Sequence, residues 1–355
     1  MVTRDRLVSI CVPTRNRAAG LRRSLESIRG QDYSNLDILI SDNASDDQTE
    51  VVCRELAAAD CRVRYVRHAR NIGLHGNHNF CMDQARGEFL CVFHDHDSRD
   101  RRIITKYVAF LDEHPSVGVV CSDWELIDDT DARIGVRDHA VQSVTPGYEY
   151  IEQTIRSGRS SIGIPGAMVR RAALGDARFG LDAPIGFGDF ALWCRVAEDA
   201  DVGHIHERLW SWRQNKESHS ARTIESIASD YRINLGGFCD DHFHRHPDHR
   251  ALVDRWRSSI SRYLFWALTY EIGLHFRRRG NRVPRSERTL FEIMDYRLTP
   301  AQFQNALVQM KACRTGALQH VAFAVASMLI KLRVTWPLAL ATEYQATLRT
   351  VLGLK

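Results

Sequence analysis

The sequence predicts an α/β fold, a mostly parallel sheet flanked by helices, with a helical extension at its C-terminal end. Three observations predict it. Short apolar runs alternate with helix-length patterns as far as residue 121, the order expected when each strand returns over the sheet through a helix. Polar clusters follow the ends of the successive apolar runs, which is where open α/β sheets bind ligands. From residue 223 onward the pattern lengthens into helices broken by Pro247, Pro284, Pro300 and Pro337, residues that interrupt a helical hydrogen-bond ladder.

The elements follow in order. Residues 7–12, apolar except for Ser9, predict a buried strand, ended by the turn chemistry of Pro13-Thr14-Arg15-Asn16. Leu21, Leu25 and Ile28 then recur at i, i+4 and i+7 and give an amphipathic helix its apolar face. Residues 36–40 predict the second strand, ending in Ser41-Asp42-Asn43, and Asp46 or Asp47 is placed to cap a helix carrying Val52 and Leu56. Residues 63–66 predict the third strand, residues 78–86 a helix, and residues 89–93 the fourth strand. Beyond it come a helix over 101–113, a strand over 117–121, loops with short elements over 128–165, a helix over 191–197 and a late strand over 202–212. The domain boundary falls at 215–225.

Composition sets the class. At 355 residues, with 44% hydrophobic and 26% charged residues, the chain has material for one large globular domain and an accessory one. Residues 1–224 carry 29 Lys+Arg against 33 Asp+Glu, a net of −4, and residues 225–355 carry 19 against 11, a net of +8. That basic third suits an anionic partner or an arginine-rich solvated surface. Nine cysteines without a C-x-x-C pair argue against a zinc ribbon or disulfide framework and for reduced thiols. No signal-peptide pattern opens the chain, and its longest apolar stretch, 321–332, is too short to span a bilayer. The expected location is therefore cytoplasmic, with peripheral contact at the inner membrane face left open.

The chemistry concentrates at the fourth strand. Residues i and i+2 of an extended segment point the same way, so Asp95 and Asp97 of His94-Asp95-His96-Asp97 can face one ligand. Two carboxylates there suit a divalent cation holding a diphosphate; in isolation, the same letters also make an acidic turn. Asn71-Ile72-Gly73, Asn77 and Asn79 follow the third strand, so four polar clusters share one rim. Neither a G-x-G-x-x-G turn nor a phosphate-loop lysine is present, which argues against a dinucleotide site or a P-loop. Asp42 is placed to hold a base or a ribose hydroxyl. The histidines at 242, 244, 246 and 249 have metal-like spacing, but without a recognisable partner set they are expected at a solvated helix end.

These residues together resemble the family 2 glycosyltransferases, with their GT-A nucleotide-diphospho-sugar transferase fold. The likeness rests on residues 8–16 (VSICVPTRN), residues 40–47 (ISDNASDD), Arg70-Asn71-Ile72-Gly73, Asn79, and Ala85-Arg86-Gly87-Glu88-Phe89 leading into Asp95-His96-Asp97. It spans residues 6–220 and implies a catalytic domain over 1–220, with a nucleotide-binding half at 1–100 and an acceptor-side half at 101–220, followed by a helical domain over 221–355. It further implies that Pro13, Thr14, Arg15, Asn16, Asp42, Asn43, Asn71, Gly73, Asn79, Asp95, His96 and Arg213 contact the nucleotide sugar. Asp97, Asp95 and His219 would hold a divalent metal, Mn2+ or Mg2+, with His96 where relatives often carry another Asp. Asp189 would be the base of an inverting transfer, although Gly188 stands where a Glu is usual.

The implied donor is a nucleotide-diphospho-sugar, with UDP the commonest nucleotide and dTDP or GDP the alternatives. The acceptor stays open among a lipid-linked chain, a polysaccharide and a small natural product. No nucleic-acid partner is expected, and the C-terminal helices suit membrane contact or a homo-oligomer. Two other functions fit the same letters: a metal-dependent phosphohydrolase built on residues 94–97, and a non-catalytic nucleotide-sugar-binding protein.

Overall fold

Val8–Thr14 forms β1, and all seven of its residues are buried, as a central strand covered by helices on both faces requires. The computed structural model describes residues 5–213 and 224–260. After β1 come α1 (Ala18–Arg29), β2 (Leu36–Asp42), α2 (Thr49–Ala59), β3 (Val63–Arg67), α3 (Gly73–Gln84) and β4 (Phe89–Val92). Next are β5 (Ser98–Arg99), α4 (Ile103–Glu113), β6 (Val117–Ile127), β7 (Arg133–Arg137), β8 (Val144–Thr145) and α5 (Gly147–Ser157). β9 (Met168–Arg170), α6 (Arg171–Leu174), α7 (Gly188–Val196) and β10 (Asp201–Arg213) complete this part.

Among the described residues the ten strands join one sheet, in the order β3-β2-β1-β4-β9-β6-β10-β5, with β7 on β6 and β8 on β10. β3, β2, β1 and β4 are parallel, β6 and β10 are parallel, and β9 runs antiparallel between β4 and β6. The mostly parallel sheet expected from the alternation is present. Strand pleating sorts β1 by face. Val8, Ile10 and Val12 share a core with Leu21, Leu25 and Ile28 of α1 and Val52 and Leu56 of α2, each such side chain contributing about 1.5–3 kcal/mol. Cys11 points to the other face, where its thiol donates to the Cys81 carbonyl of α3 at 3.2 Å. β3, at the edge of the sheet, is only partly buried and carries Arg64 and Arg67, charges that discourage edge-to-edge pairing.

Two expectations change. Residues 147–157, within the stretch read as loops with short elements, form an 11-residue helix, because Tyr150, Ile151, Thr154 and Ile155 recur on one buried stripe. The strand expected over 117–121 continues to Ile127, because its extension is paired with Trp210–Arg213 of β10. The N-cap of α2 is Gln48 rather than Asp46 or Asp47, and it makes no side-chain cap bond; Asp47, one residue earlier, accepts the Thr49 N–H at 2.9 Å.

The chain divides into two compact units, Met1–Thr154 with Arg159–Ser218, and Ile155–Gly158 with His219–Lys355. In the second, α8 (Ile224–Arg245) is followed by a 3-10 turn at Pro247–His249 and helical residues 250–260. Tyr231, Leu235, Phe238, Val253, Trp256 and Ile260 are buried there. So is His242, whose ring lies 4.9 Å from that of Trp256 and whose Nε2 is 3.1 Å from His249 Nδ1; the expected solvated histidine group is thus partly a packed one. Among the described residues no helix is long and apolar enough to cross a membrane.

Candidate active site

The ends of β1, β2 and β4 and the loop after β3 are stitched together by side chains. Thr14, the last residue of β1, donates its hydroxyl to Asp95 Oδ2 at 2.6 Å. The Asn16 N–H donates to Ser45 Oγ at 2.9 Å, and the Asp46 N–H donates back to Asn16 Oδ1 at 2.9 Å. Asn43 donates to Asn71 Oδ1 at 2.8 Å and to the Gly73 carbonyl at 3.1 Å, while accepting the Ile72 N–H at 2.8 Å. Three residues of these loops are left-handed, Asn16 at φ 53°, Ala44 at φ 57° and Gly73 at φ 80°. Backbone in that region is costly for a residue such as Ala44, and it persists where the surroundings hold it. Pro13 is buried beneath this rim and Arg15 is exposed on it.

Asp42 is fully buried and its carboxylate is engaged internally. One oxygen accepts the Ser45 N–H at 2.9 Å and the Ser45 hydroxyl at 2.5 Å, and the other accepts the Tyr65 hydroxyl at 2.8 Å. It therefore shapes the turn that carries Asn43 and Asp46. Asn79, on α3, exchanges two hydrogen bonds with the Phe179 backbone, at 2.8 and 2.9 Å.

The loop after β4 holds the buried charge. Asp97 is 1% exposed. Its Oδ1 accepts the Arg213 N–H at 2.9 Å, whereas its Oδ2 has no hydrogen-bond partner among the described residues. His94 Nδ1 stands 3.7 Å from Oδ2, His96 Nε2 3.7 Å from Oδ1, and Arg99 Nη2 3.8 Å from Oδ2. Ligand atoms of His94, His96 and Asp97 all lie within 4.8 Å of one another. Burial raises the Asp97 carboxyl above the ordinary carboxylate value, and Arg99 and His96 pull it back. Burial works against a charged His96, but its 3.0 Å bond to Asp95 Oδ1 and the charge of Asp97 raise it above the ordinary imidazole value. A buried carboxylate oxygen without a hydrogen bond is costly, and a divalent cation is a partner that this donor set fits. Asp95 has less to offer, since Thr14 and His96 occupy its two oxygens.

Arg213 is 4% exposed and braces this loop. Its Nε donates to the His96 carbonyl at 3.0 Å, its Nη1 to the Asp128 carbonyl at 2.6 Å, and its Nη2 pairs with the Asp131 carboxylate. His219 lies outside the described residues. In the sequence His94 entered only with the group 94–97 and not as a ligand of the transferase site, and Arg99 was missed. His94 ends the apolar run two residues before His96, a spacing that could have drawn notice, whereas the approach of Arg99 to Asp97 has no signature in the letters.

Asp189 lies in the first turn of α7 behind Phe187, which is left-handed at φ 60°. The Phe190 N–H donates to the Asp189 carboxylate at 3.1 Å. Gly188 is closely covered: a Cβ there would meet the Phe179 ring at 3.2 Å and His75 Nε2 at 3.4 Å. His75 and Phe179 stack with centroids 4.8 Å apart, and this pair occupies the space a glutamate stem would need.

An α/β sheet with this strand order, with polar loops gathered at the ends of β1, β2 and β4, has the architecture of the GT-A fold. The closeness of known proteins agrees. Residues 9–177, just under half of the chain, match glycosyl transferase family 2. The chain is 38% identical over 91 residues to the GalNAc(5)-diNAcBac-PP-undecaprenol beta-1,3-glucosyltransferase of Campylobacter jejuni, 25% of this chain and 29% of that one. It is 32% identical over 114 residues to the abequosyltransferase RfbV of Salmonella typhimurium, 31% of this chain and 34% of that one. The matches thus span about a third or less of each of these relatives. Among solved structures, S. aureus TarS 1-349 in complex with UDP-GlcNAc superposes with a TM-score of 0.60 at 18% identity, covering 86% of this chain and 80% of that one. The mannosyltransferase PcManGT from Pyrobaculum calidifontis in complex with GDP-Man and Mn2+ gives 0.53 at 17% identity, covering 91% and 87%. Those two likenesses speak for the fold.

Proposed function

We propose that the chain is an inverting glycosyltransferase that moves a sugar from a nucleotide-diphospho-sugar to an acceptor hydroxyl. The observation that carries this reading is Asp97 Oδ2, a buried carboxylate oxygen without a hydrogen-bond partner among the described residues, grouped with His94 and His96 at the end of β4. A divalent ion held by Asp97, His94 and His96 would supply positive charge to the departing diphosphate. Mixed imidazole and carboxylate donors favour Mn2+ over Mg2+, which takes oxygen ligands in strict octahedral geometry.

The chain's own residues supply the rest. Thr14, Asn16, Asn43 and Asn71 shape the pocket for the nucleoside, and the Thr14 bond keeps Asp95 beside Asp97. Arg213 fixes the loop through the His96 carbonyl. Asp189 accepts the proton of the acceptor hydroxyl as its oxygen bonds to the anomeric carbon and the bond to the nucleoside diphosphate breaks. UDP is the first nucleotide to test, with dTDP and GDP beside it. A lipid-linked diphosphate acceptor suits the net +8 of residues 225–355, and the Campylobacter relative is named for such an acceptor.

The test is a pair of variants measured separately for binding and transfer. Asp97→Asn is expected to lose Mn2+-dependent nucleotide binding. Asp189→Asn is expected to keep it while transfer falls about 10²–10⁴-fold. Unchanged metal-dependent binding in the first, or normal turnover in the second, would remove that residue's role.

A further inference from the structure

A second group of metal-type donors sits away from the β4 loop, between β6 and β10. β10 carries a bulge there: Ile205 pairs with Ser122 and Arg208 with Asp123, so His206 and Glu207 are extra residues on β10. Such a bulge re-aims side chains, and here it leaves Asp123, His204 and His206 with ligand atoms all within 4.8 Å of one another. Asp123 and His204 are buried, 5% and 2% exposed, while His206 is exposed and opens the group to solvent. From this geometry we propose that Asp123, His204 and His206 bind a divalent transition-metal ion of the zinc type, a site independent of the donor crevice.

Three features support it. First, the separations suit tetrahedral coordination. Zn–N and Zn–O bonds of about 2.0–2.1 Å put neighbouring ligand atoms about 3.3 Å apart, and His204 Nε2 already stands 2.9 Å from Asp123 Oδ1. Little movement is needed when the shared proton gives way to a cation. Second, the ligands have partners of the kind that orient metal-binding groups. The Asp123 carboxylate accepts the His139 N–H at 2.8 Å, and His139 Nδ1 lies 3.2 Å from the same oxygen. The second nitrogen of His204 is met by the Cys121 thiol at 3.2 Å, which leaves Nε2 as the coordinating atom. Third, the site is remote from the donor loop. His204 lies nine residues before Arg213 on β10, on the order of 25 Å along a strand. His206 at the open side leaves the fourth position to water.

The ion would clamp β6 to β10 across the bulge, where regular pairing lapses. Untagged full-length protein carrying Asp97→Asn, His244→Ala and His246→Ala provides a background in which the donor-site ligand and two other histidines are removed. After dialysis against a chelator, Co2+ serves as the optical probe and Zn2+ as the competitor. The expected result is one equivalent of Co2+ with the strong visible absorption of tetrahedral coordination, displaced by Zn2+, together with a higher melting temperature when Zn2+ is present. Adding His206→Ala, an exposed position whose loss leaves the chelated protein folded, is expected to weaken binding at least tenfold and to abolish both the absorption and the thermal shift. Equal binding with and without His206, or no stoichiometric Co2+ absorption in the background protein, would overturn the proposal.

Discussion

Arg213 shows how one side chain sets the chemistry of another. Its backbone N–H holds Asp97 Oδ1, and its guanidinium holds the His96 carbonyl, the Asp128 carbonyl and Asp131. Asp97 Oδ2 thus stays beyond hydrogen-bond distance of His94 Nδ1, at 3.7 Å, and Arg99 Nη2, at 3.8 Å, without the loop relaxing around it. Replacing Arg213 by Ala removes the brace and not the ligands, so Mn2+ affinity is expected to fall about 10–100-fold, as for other groups that orient a metal ligand. Arg213→Lys should recover little, because an ammonium lacks the planar fork that reaches three acceptors at once. Calorimetric titration of Mn2+ into each variant checks this, and wild-type affinity in Arg213→Ala would refute it. The position of Asp95 and Asp97 just after β4 was legible in the sequence because an apolar run and its end are local properties. The extended i, i+2 geometry is not found: β4 ends at Val92, residues 95–96 form a turn, and Thr14 and His96 engage Asp95. The engagement of Asp42 with Tyr65, and of Arg213 with Asp128 and Asp131, was not legible, because each partner arrives from another strand or loop.

The elements were legible wherever a single period ran uninterrupted, as in the buried runs of β1 and β2 and the Leu21, Leu25, Ile28 stripe of α1. α5 escaped because Glu149, Glu152 and Gln153 fill its outer face and leave only a narrow stripe. Two joints between elements give expected outcomes. Gly87 passes against β1, where a Cβ would meet Ser9 N at 2.5 Å, Phe89 O at 2.6 Å and Leu7 O at 2.7 Å. All three are backbone atoms that cannot step aside, and Ser9 Oγ also accepts the Gly87 N–H at 2.8 Å. Gly87→Ala should therefore cost about 3 kcal/mol, the upper end of overpacking, read as a lower urea midpoint.

At the end of α2, Asp60 binds Arg62 at 3.0 and 2.9 Å and Arg29 of α1 at 3.0 Å. The hydrogen bonds from Arg62, then those from Arg29, hold its carboxyl well below the usual range. The folded state thus takes up this proton less readily than the unfolded chain. The stabilisation is complete above the unfolded value near about 3.9 and is lost as pH falls through the lower folded value. Asp60→Asn should cost about 1.5–3 kcal/mol at pH 7. In denaturant titrations the gap to wild type should begin to close below about pH 4; a gap that stays constant through acid would exclude the ion pairs as its source.

At the scale of the whole molecule, the crevice is assembled from segments that are distant in sequence and joined by few bonds. Thr14 meets Asp95, Asn16 meets Ser45 and Asp46, and Asn43 meets Asn71 and Gly73. A ligand touching these segments together binds only the folded sheet, so its binding free energy appears as stability of the catalytic unit. At a hundredfold excess over its dissociation constant, that contribution is about 2.7 kcal/mol. A unit of this size gains about 2–4 °C per kcal/mol, which gives an expected shift of about 5–11 °C for UDP with Mn2+. The proposed role of Asp97 makes the shift conditional on the metal. Chelation should remove most of it, Mg2+ should restore less than Mn2+ because His94 and His96 supply nitrogen donors, and Asp97→Asn should leave UDP with the small shift it has in chelator. A differential scanning measurement over these conditions separates a metal-held diphosphate from simple nucleotide binding, since a UDP shift of full size in chelator would mean that the diphosphate is held by the protein alone.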